Sequence, residues 1–555
     1  MSGQVTEEVV RSSSRPALLL PNAAAVLVLL AALALQWHAG SVLFGSSVQG
    51  DAAKHYTSGV LVFDYLREGL GSRPVSFAES FEVRYPLVGI GQWPPMYYAI
   101  QGLFYFLAGP FIRSAQALSA LTAAILAFVV FVILRRRTGS RIALLGAAVF
   151  LATPLIQSAA WEVMSDLLTG FFVFLAIIAF ARLLDRPGDW KAAVAFVAYA
   201  IASVLSKGSA WALGPFFLLA PLLCRRNRFF ASRWFLGPLL VVVLSGSVFY
   251  LVAARTGIGY PIHFSHYLGV GLGHRFSTLR QVLAFAPGIL ITTSIAGAIV
   301  AFRARWRLGD ESFNQTLSLA AAAWVLSQLL FLFILPMTPE PRVLTPALAP
   351  VAVLTACLMQ WLEAAFGAIT PALAGAIIVA SCIGNPISRV DGFRDAANLM
   401  PYPADGALIM VAANDWGGEE EIITERLSHD RSHRDVILRG THVLADVDAA
   451  RKDQPLFTSA EAVRTYLLQM PVRFIVLGNP PYDFAFLPLV DKAVTEDPQD
   501  FHMIAQVPLV AWPGGKSVGD LRIFENPAGR DHHPAIVQTR LGSYAGRRIL
   551  EYHWK

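Results

Sequence analysis

Long apolar stretches recur along most of the 555-residue chain and decide what it can fold into. From Ala17 to about Ile383 the sequence repeatedly supplies about 20 mostly apolar residues, the length that an α-helix needs to cross the hydrocarbon core of a bilayer. Hydrophobic residues make up 55% of the chain and charged residues only 15%, and the mean hydropathy is +0.53. This balance excludes an ordinary soluble protein and predicts an α-helical, polytopic membrane protein.

The remaining composition excludes several other classes. The net charge of +6 comes from basic residues clustered between apolar stretches, so we expect no nucleic-acid partner. The three cysteines, Cys224, Cys357 and Cys382, lie in or beside apolar stretches and offer neither a disulfide framework nor a CxxC metal site. Residues 17–35 are long enough to span and lack a convincing cleavage site, so we expect them to remain as the first helix.

Clusters of arginine and lysine predict how the chain is oriented, because short loops rich in these residues stay on the cytoplasmic side of the membrane. Five such clusters occur, at 11–15, 135–141, 182–191, 225–233 and 303–307. Placing all of them inside predicts eleven spans, a cytoplasmic N-terminus and a C-terminus on the outer face. The predicted spans are 17–36, 114–134, 141–160, 167–184, 191–206, 209–224, 234–253, 281–301, 317–335, 343–362 and 367–385.

The same orientation places many acids and other polar groups on the outer face. In a Gram-negative bacterium this is the periplasmic face of the inner membrane, which is the predicted location. Ionisable residues at helix ends often serve only as anchors, and that is the structural alternative for each of them. The residues are Asp51, Lys54, His55, Glu162, Asp166, Lys207, Glu340 and Arg342.

The first outer loop, residues 37–113, contains two predicted helices. Within 51–69, apolar residues such as Tyr56, Val60 and Phe63 fall near helical spacing. The second stretch, "QWPPMYYAIQGLFYFLAGP" at 92–110, begins with prolines that suit a first helical turn and continues with aromatic residues. We expect both helices to lie in the plane of the membrane interface.

The composition changes after the membrane part, residues 1–386. In "ADGALIMVAANDWGGEEEIITERL" the pattern predicts a strand, a turn and a helix, and "RDVILRG", "VRFIVLG" and "DLRIFENP" predict further strands. A helical pattern lies between them at 459–469. Residues 387–527 are therefore predicted to form a soluble α/β domain on the outer face, followed by a polar, basic tail at 528–555.

Ordered motifs in the membrane part resemble the GT-C superfamily of polytopic glycosyltransferases. After an outer loop that begins with Asp51 come "PPMYY", "SDLLTGFFVFLAI", "LSKGSAWALGPFFLLAPLL" and "PEPRVLTPALAP". The resemblance covers 15–385 and is to the protein O-mannosyltransferases and the lipid A aminoarabinose and galacturonic acid transferases. It implies inverting transfer of a sugar from a polyprenyl-phosphate donor to a glycan, lipid or protein acceptor. A flippase of a lipid-linked sugar and a non-catalytic membrane platform are the alternatives.

The resemblance also implies roles for individual residues. Asp51 matches the aspartate of the first loop and is the expected general base, and Asp166 is the expected second acid. The expected ligands of the donor phosphate are Lys54, Lys207 and Arg342, because basic side chains stabilise a departing phosphate. Glu340, His55 and Tyr97 are expected to support the site.

Two alternatives stay open at this point. Ala52 stands where many relatives have a second acid beside the first-loop aspartate, which weakens the case for a two-carboxylate site in that loop. Asp51 and Asp166 also suit the first turn of a helix, where aspartate caps free N–H groups.

No cofactor is expected to be required, and the alternative is a divalent ion held by Asp51 and Asp166.

Overall fold

The structure is a computed structural model with a helical part up to Cys382 and a β-rich domain from Arg389 onwards. It describes residues 15–38, 50–88, 92–256, 269–308, 313–336, 340–382, 389–414, 416–430, 432–447, 453–496, 498–512, 514–530, 534–540 and 549–553. The described helices of the first part are α1 (Arg15–His38), α2 (Gly50–Asp64), α3 (Pro74–Arg84), α4 (Met96–Ala108), α5 (Ile112–Ala152), α6 (Pro154–Trp161), α7 (Asp166–Asp185), α8 (Trp190–Val204), α9 (Leu213–Leu223), α10 (Arg233–Thr256), α11 (Leu272–Ala284), α12 (Gly288–Leu308), α13 (Phe313–Ile334), α14 (Leu348–Phe366) and α15 (Ile369–Cys382).

Helices long and apolar enough to cross a membrane confirm a polytopic fold, although the predicted count of eleven spans is not confirmed. Among the described residues six such helices occur, and three shorter apolar helices, Trp190–Val204, Gly208–Leu223 and Ile369–Cys382, cover predicted spans. The six are Ile112–Ala152, Asp166–Asp185, Arg233–Ala253, Gly288–Arg305, Gln315–Ile334 and Pro341–Phe366.

Two boundaries differ from the prediction for identifiable reasons. The predicted spans 114–134 and 141–160 meet at a kink within α5, where Gly139 leaves the helical conformation with φ at 81°. The second span ends earlier than predicted, at Ala152, because Pro154 begins a separate helix, α6. The predicted span 281–301 begins later, at Gly288, because Pro287 cannot continue α11.

The C-terminal domain is built on a six-stranded mixed sheet. Its strand order is β1-β7-β8-β6-β2-β3, and only β2 pairs in parallel with both of its neighbours, β3 and β6. The elements are β1 (Arg389–Asp391), α16 (Phe393–Leu399), β2 (Leu408–Ala412), α17 (Trp416–His429), β3 (Val436–Arg439), α18 (Gly440–Val443), β4 (Ala445–Val447), β5 (Asp453–Pro455), α19 (Ala460–Gln469), β6 (Phe474–Gly478), α20 (Leu487–Thr495), β7 (His502–Trp512), β8 (Lys516–Glu525), β9 (Ile536–Arg540) and β10 (Ile549–His553).

The four strands predicted from sequence are β2, β3, β6 and β8, and the helical pattern at 459–469 is α19. The eleven-residue strand β7 was not predicted, because Pro508 interrupts its apolar residues and proline argues against a strand inside a sheet. Within the segment predicted to be a polar tail, β9 and β10 form an antiparallel pair, and Val537 and Leu550 are buried.

The domain packs directly onto the first loop of the membrane part. Most residues of α2 are buried between α4 and α17, so protein covers this helix on two sides, and its place at the membrane interface stays a prediction. His433 Nδ1 lies 2.6 Å from Asp64 Oδ2 at the end of α2, and the Tyr85 hydroxyl donates to Asp430 over 2.8 Å. The first loop and the soluble domain therefore share one core.

A close crossing of two membrane helices gives a test of the fold. A Cβ placed on Gly297 of α12 would overlap the carbonyl oxygen of Leu354 on α14, whereas one placed on Gly237 of α10 would meet open space. We expect Gly297→Ala to lower the free energy of unfolding by about 1–3 kcal/mol, since the two backbones must separate. Gly237→Ala should be neutral or raise it by up to about 1 kcal/mol through helix propensity. Unfolding of both variants in detergent measures the difference, and equal stabilities would contradict this packing.

Candidate active site

An ion pair links the start of α2 to the segment before α14. Arg342, in the 3₁₀-helical segment Pro341–Ala347, donates through Nη2 to the Asp51 carboxylate and through Nε to Glu340. Asp51 and Arg342 are 291 residues apart in the chain. Burial opposes ionisation of Asp51, but the charge and hydrogen bond of Arg342 prevail and hold its pKa below the ordinary value. Asp51 is therefore ionised and engaged in this structure.

A second ion pair lies deeper. Asp166 is the first residue of α7 and only 1% exposed, and both of its oxygens lie 2.7 Å from Lys207 Nζ. Lys207 directly precedes the 3₁₀-helical segment Gly208–Ala212. A buried carboxylate of this kind is stable only beside a cation, so the two residues depend on each other.

Close backbone packing brings the two pairs to one place. At Gly170, one turn after Asp166, a Cβ would lie 3.3 Å from the Cα of Pro346, so only a very small residue lets the Pro341–Ala347 segment approach α7 this closely. From α13, Trp324 Nε1 donates to the Pro346 carbonyl over 3.0 Å and Gln328 Nε2 to the Val343 carbonyl over 3.1 Å. These bonds fix the segment that carries Arg342.

A cavity of about 200 Å³ opens beside the ion pairs. Glu162, a buried residue between α6 and α7, contributes a carboxylate to it, and Ser158 Oγ donates to that carboxylate over 3.0 Å. Burial raises the pKa of Glu162 to about 7, against the opposing effect of Ser158 and the charge of Arg342. The lining residues are Leu155, Ser158, Ala159, Glu162, Met164, Asp166, Glu340, Pro341 and Arg342.

His55 and Tyr97, the expected supporting residues, pack together next to the ion pairs. The ring of His55 lies 4.7 Å from that of Trp93 and 5.5 Å from that of Tyr97, and His55 Nδ1 is 2.9 Å from the Tyr98 hydroxyl. Burial, reinforced by the charge of Lys207, lowers the pKa of His55 to about 3. His55 is therefore a neutral side chain that holds α2 against α4.

Lys54 is not among the residues that line the cavity. Its Nζ lies 3.4 Å from Oε1 of Glu420, a buried residue of α17 in the soluble domain. The structure thus brings five of the expected residues together, and places Lys54 at the junction between the domains. The five are Asp51, Asp166, Lys207, Glu340 and Arg342.

The carboxylates of the site are engaged by cations in this structure. Among the described residues no group of three or more His, Cys, Asp or Glu side chains is placed to hold an ion. Arg342 contacts one oxygen of Asp51 and Lys207 both oxygens of Asp166, so an ion bound by the two carboxylates would compete with these cations.

Glu162 was predicted to lie in an outer loop, but no role was predicted for it. It was one of several acids in outer loops, and nothing in "AAWEVMSDLL" separates it from a helix-end anchor. The informative property is its burial beside a cavity, which depends on α6, α7 and the distant 340–342 segment together.

The Asp166–Lys207 pair generates a stability prediction. We expect Lys207→Met to lower the free energy of unfolding by about 3–5 kcal/mol, because it leaves a buried carboxylate without its cation. The double variant Asp166→Asn with Lys207→Met removes both charges and should recover most of the loss. Unfolding of the purified protein in detergent measures both, and a double variant that is no more stable than Lys207→Met would contradict the pairing.

Part of the chain matches a known protein family. Residues 92–251 match the family model described as dolichyl-phosphate-mannose-protein mannosyltransferase. None of the curated protein sequences compared matches the chain significantly.

Solved structures match over much more of the chain. ArnT from Cupriavidus metallidurans bound to undecaprenyl phosphate has a TM-score of 0.55 and 15% identity, and the match covers 92% of this chain and 98% of ArnT. The apo state of the same ArnT gives a TM-score of 0.54 and 14% identity over the same shares. The oligosaccharyltransferase of Archaeoglobus fulgidus in complex with Zn and sulfate is more distant, with a TM-score of 0.49, 14% identity, and coverage of 82% of this chain and 67% of that one.

At these identities the ArnT structures establish the fold and not the substrate. The family match includes α4 and continues into α10, and so contains Asp166 and Lys207. Together, the family match and the shared fold confirm the resemblance: this chain has the fold of the GT-C superfamily of membrane glycosyltransferases.

Proposed function

We propose that this chain is an inverting glycosyltransferase that moves a sugar from a polyprenyl-phosphate donor to an acceptor hydroxyl or phosphate. We place the reaction at the periplasmic face of a bacterial inner membrane, with the N-terminus in the cytoplasm and the C-terminal domain in the periplasm. The observation that carries this proposal is the meeting of two carboxylate–cation pairs, Asp51–Arg342 and Asp166–Lys207, beside one cavity.

The cations are assigned to the donor phosphate. When the bond between the anomeric carbon and the phosphate oxygen breaks, its electron pair stays on the phosphate, which gains negative charge. Arg342 offers a planar fork of donors and Lys207 a compact charge, and both stabilise that developing charge better than water does. A bound undecaprenyl phosphate in the structure of ArnT, which shares this fold, supports a lipid phosphate as the ligand.

Asp51 is assigned as the general base. It takes the proton of the acceptor hydroxyl while the acceptor oxygen forms its bond to the anomeric carbon from the side opposite the phosphate, so the configuration inverts. In this structure Arg342 occupies the Asp51 carboxylate. A donor phosphate competes for Arg342, and its binding therefore frees Asp51 as a base only when a substrate is present.

Asp166 and Glu162 are assigned to the cavity. Asp166 holds Lys207 in place, and Glu162 presents a carboxylate toward the space next to Asp166 and Arg342. An ionised carboxylate accepts hydrogen bonds from sugar or acceptor hydroxyls, so Glu162 orients the bound substrate. No step of this proposed reaction uses a metal ion.

The positions of the charges favour an enzyme over a flippase. Transporters bind their substrates near the middle of the bilayer, in interrupted helices. Asp166 begins α7, Lys207 follows α8, and Arg342 precedes α14, so all three lie at the ends of helices. A non-catalytic platform would have no use for two carboxylate–cation pairs beside a cavity.

The assignment of Asp51 is tested in membranes supplied with polyprenyl-phosphate sugars. We expect Asp51→Asn to lower the rate of transfer by about 10²- to 10⁴-fold, the usual contribution of a general base. Asp189→Asn is the matched control, because Asp189 caps α8 through a bond to the Ala192 N–H and asparagine caps equally well. Full transfer by Asp51→Asn would show that Asp51 is not the general base. A wild type that is inactive with every such donor would favour the flippase or the platform.

The assignment of Glu162 predicts a pH dependence. Because burial raises the pKa of Glu162 to about 7, the carboxyl is mostly neutral at pH 6 and mostly ionised at pH 8. If its ionised form orients the substrate, the rate of transfer rises with pH through about 7. Glu162→Gln should lower the rate and abolish that rise. A variant that keeps the wild-type pH profile would show that another group titrates there.

A further inference from the structure

The start of the helix that carries Asp51 is held by a side chain from the soluble domain. Glu420 of α17 is only 2% exposed, and its Oε1 lies 3.4 Å from Lys54 Nζ. Its other oxygen lies directly against Gly50, where any Cβ would overlap it. Glu420 thus touches α2 one residue before and three residues after Asp51.

Glu420 is itself fixed within the soluble domain. Arg439, in β3, donates through Nη2 to Glu420 Oε1 over 3.0 Å and through Nε to Glu419 over 2.8 Å. Glu419 also accepts from the Thr441 hydroxyl over 2.6 Å. The carboxylate that meets α2 is therefore part of a rigid network anchored on the sheet, and not a mobile surface side chain.

The contact suits the first turn of a helix. Free N–H groups and the helix dipole make this end electropositive, and a carboxylate placed there is stabilised. Gly50 is what lets the carboxylate come so close, which explains the glycine at the start of "GDAAKHY". At the other end of α2, Asp64 is held by His433 of the same domain. The soluble domain therefore contacts α2 at both of its ends.

We propose that Glu420 is a positioning residue that acts through Lys54 and the first turn of α2 to set the Asp51 carboxylate against Arg342. The inference rests on the proposed function and adds to it that the soluble domain completes the active site. Lys54 then serves as the link between the domains, which differs from the phosphate-binding role that the family resemblance implies.

The two roles for Lys54 predict different kinetics. A phosphate ligand contributes to donor binding, so Lys54→Gln would mainly raise the KM for the donor. A positioning link acts on the geometry of the reacting groups, so Lys54→Gln would lower kcat and leave the donor KM unchanged. Small displacements of a reacting group typically cost about tenfold to 100-fold in rate.

A double-mutant cycle on the full-length protein in membranes tests the proposal. We expect Glu420→Gln and Lys54→Gln each to lower kcat by about tenfold or more, and the double variant to be no worse than the more damaging single variant. Gly50→Ala should lower kcat similarly, without removing a charge. Effects of Glu420→Gln and Lys54→Gln that multiply, or a raised donor KM with unchanged kcat, would overturn the proposal.

Controls separate positioning from misfolding and from failure of the proposed function. Asp491→Asn alters another acid of the soluble domain, paired with Arg522 at 2.9 Å, and should leave kcat unchanged. The thermal stability of each variant in detergent must stay near that of the wild type for its kinetics to count, and Gly50→Ala provides the test if Glu420→Gln does not fold. If the wild type is active and neither Glu420→Gln nor Gly50→Ala changes kcat, this inference alone is refuted. A wild type without activity refutes the proposed function.

Discussion

The ion pair between Asp51 and Arg342 joins segments near the beginning and the end of the membrane part in the sequence, and the rest of the site is built around it. Charged groups in such an apolar protein are costly unless they are paired, so the pair holds α2 and the segment before α14 in one position. The second pair, Asp166 with Lys207, extends the same logic into α7. The cavity lies where these elements meet. Asp166 and Arg342 reach it already paired with opposite charges, whereas Glu162 has no cation within ion-pair distance among the described residues.

The soluble domain belongs to this arrangement and is not an appendage. Its helix α17 covers α2, and its side chains reach the first loop at Lys54, Asp64 and Tyr85. The ring of Trp161, the neighbour of Glu162, lies 4.9 Å from the guanidinium carbon of Arg389, which is equally close to Trp512. These contacts couple the domain to the loop that carries the predicted base.

Much of the fold was predictable because it depends on short-range patterns. Apolar stretches of membrane-spanning length predicted the helical part, and short apolar runs bounded by turn residues predicted β2, β3, β6 and β8. The predicted count of spans was less secure, because proline and glycine positions decide where one helix becomes two, as at Gly139 and Pro287. Strand β7 was missed because Pro508 interrupts its apolar residues.

The site was predictable only in part, for a different reason. Asp51, Asp166, Lys207 and Arg342 stood out because each is an ionisable residue at the edge of an apolar stretch and matches a family motif. Which of them pair with each other was not predictable, since pairing across 41 or 291 residues is decided by helix packing. The same holds for Glu420, whose meaning depends on a contact with Gly50 in another domain.

The central claim is that Arg342 exchanges its partner, from Asp51 to the phosphate of a polyprenyl lipid. The most direct measurement is an experimental structure of this protein with a polyprenyl phosphate bound in a lipid nanodisc. The account predicts phosphate density within hydrogen-bond distance of Arg342 and Lys207, with the Asp51 carboxylate released from Arg342 and facing the cavity. Phosphate bound elsewhere, with the Asp51–Arg342 pair intact, would contradict it.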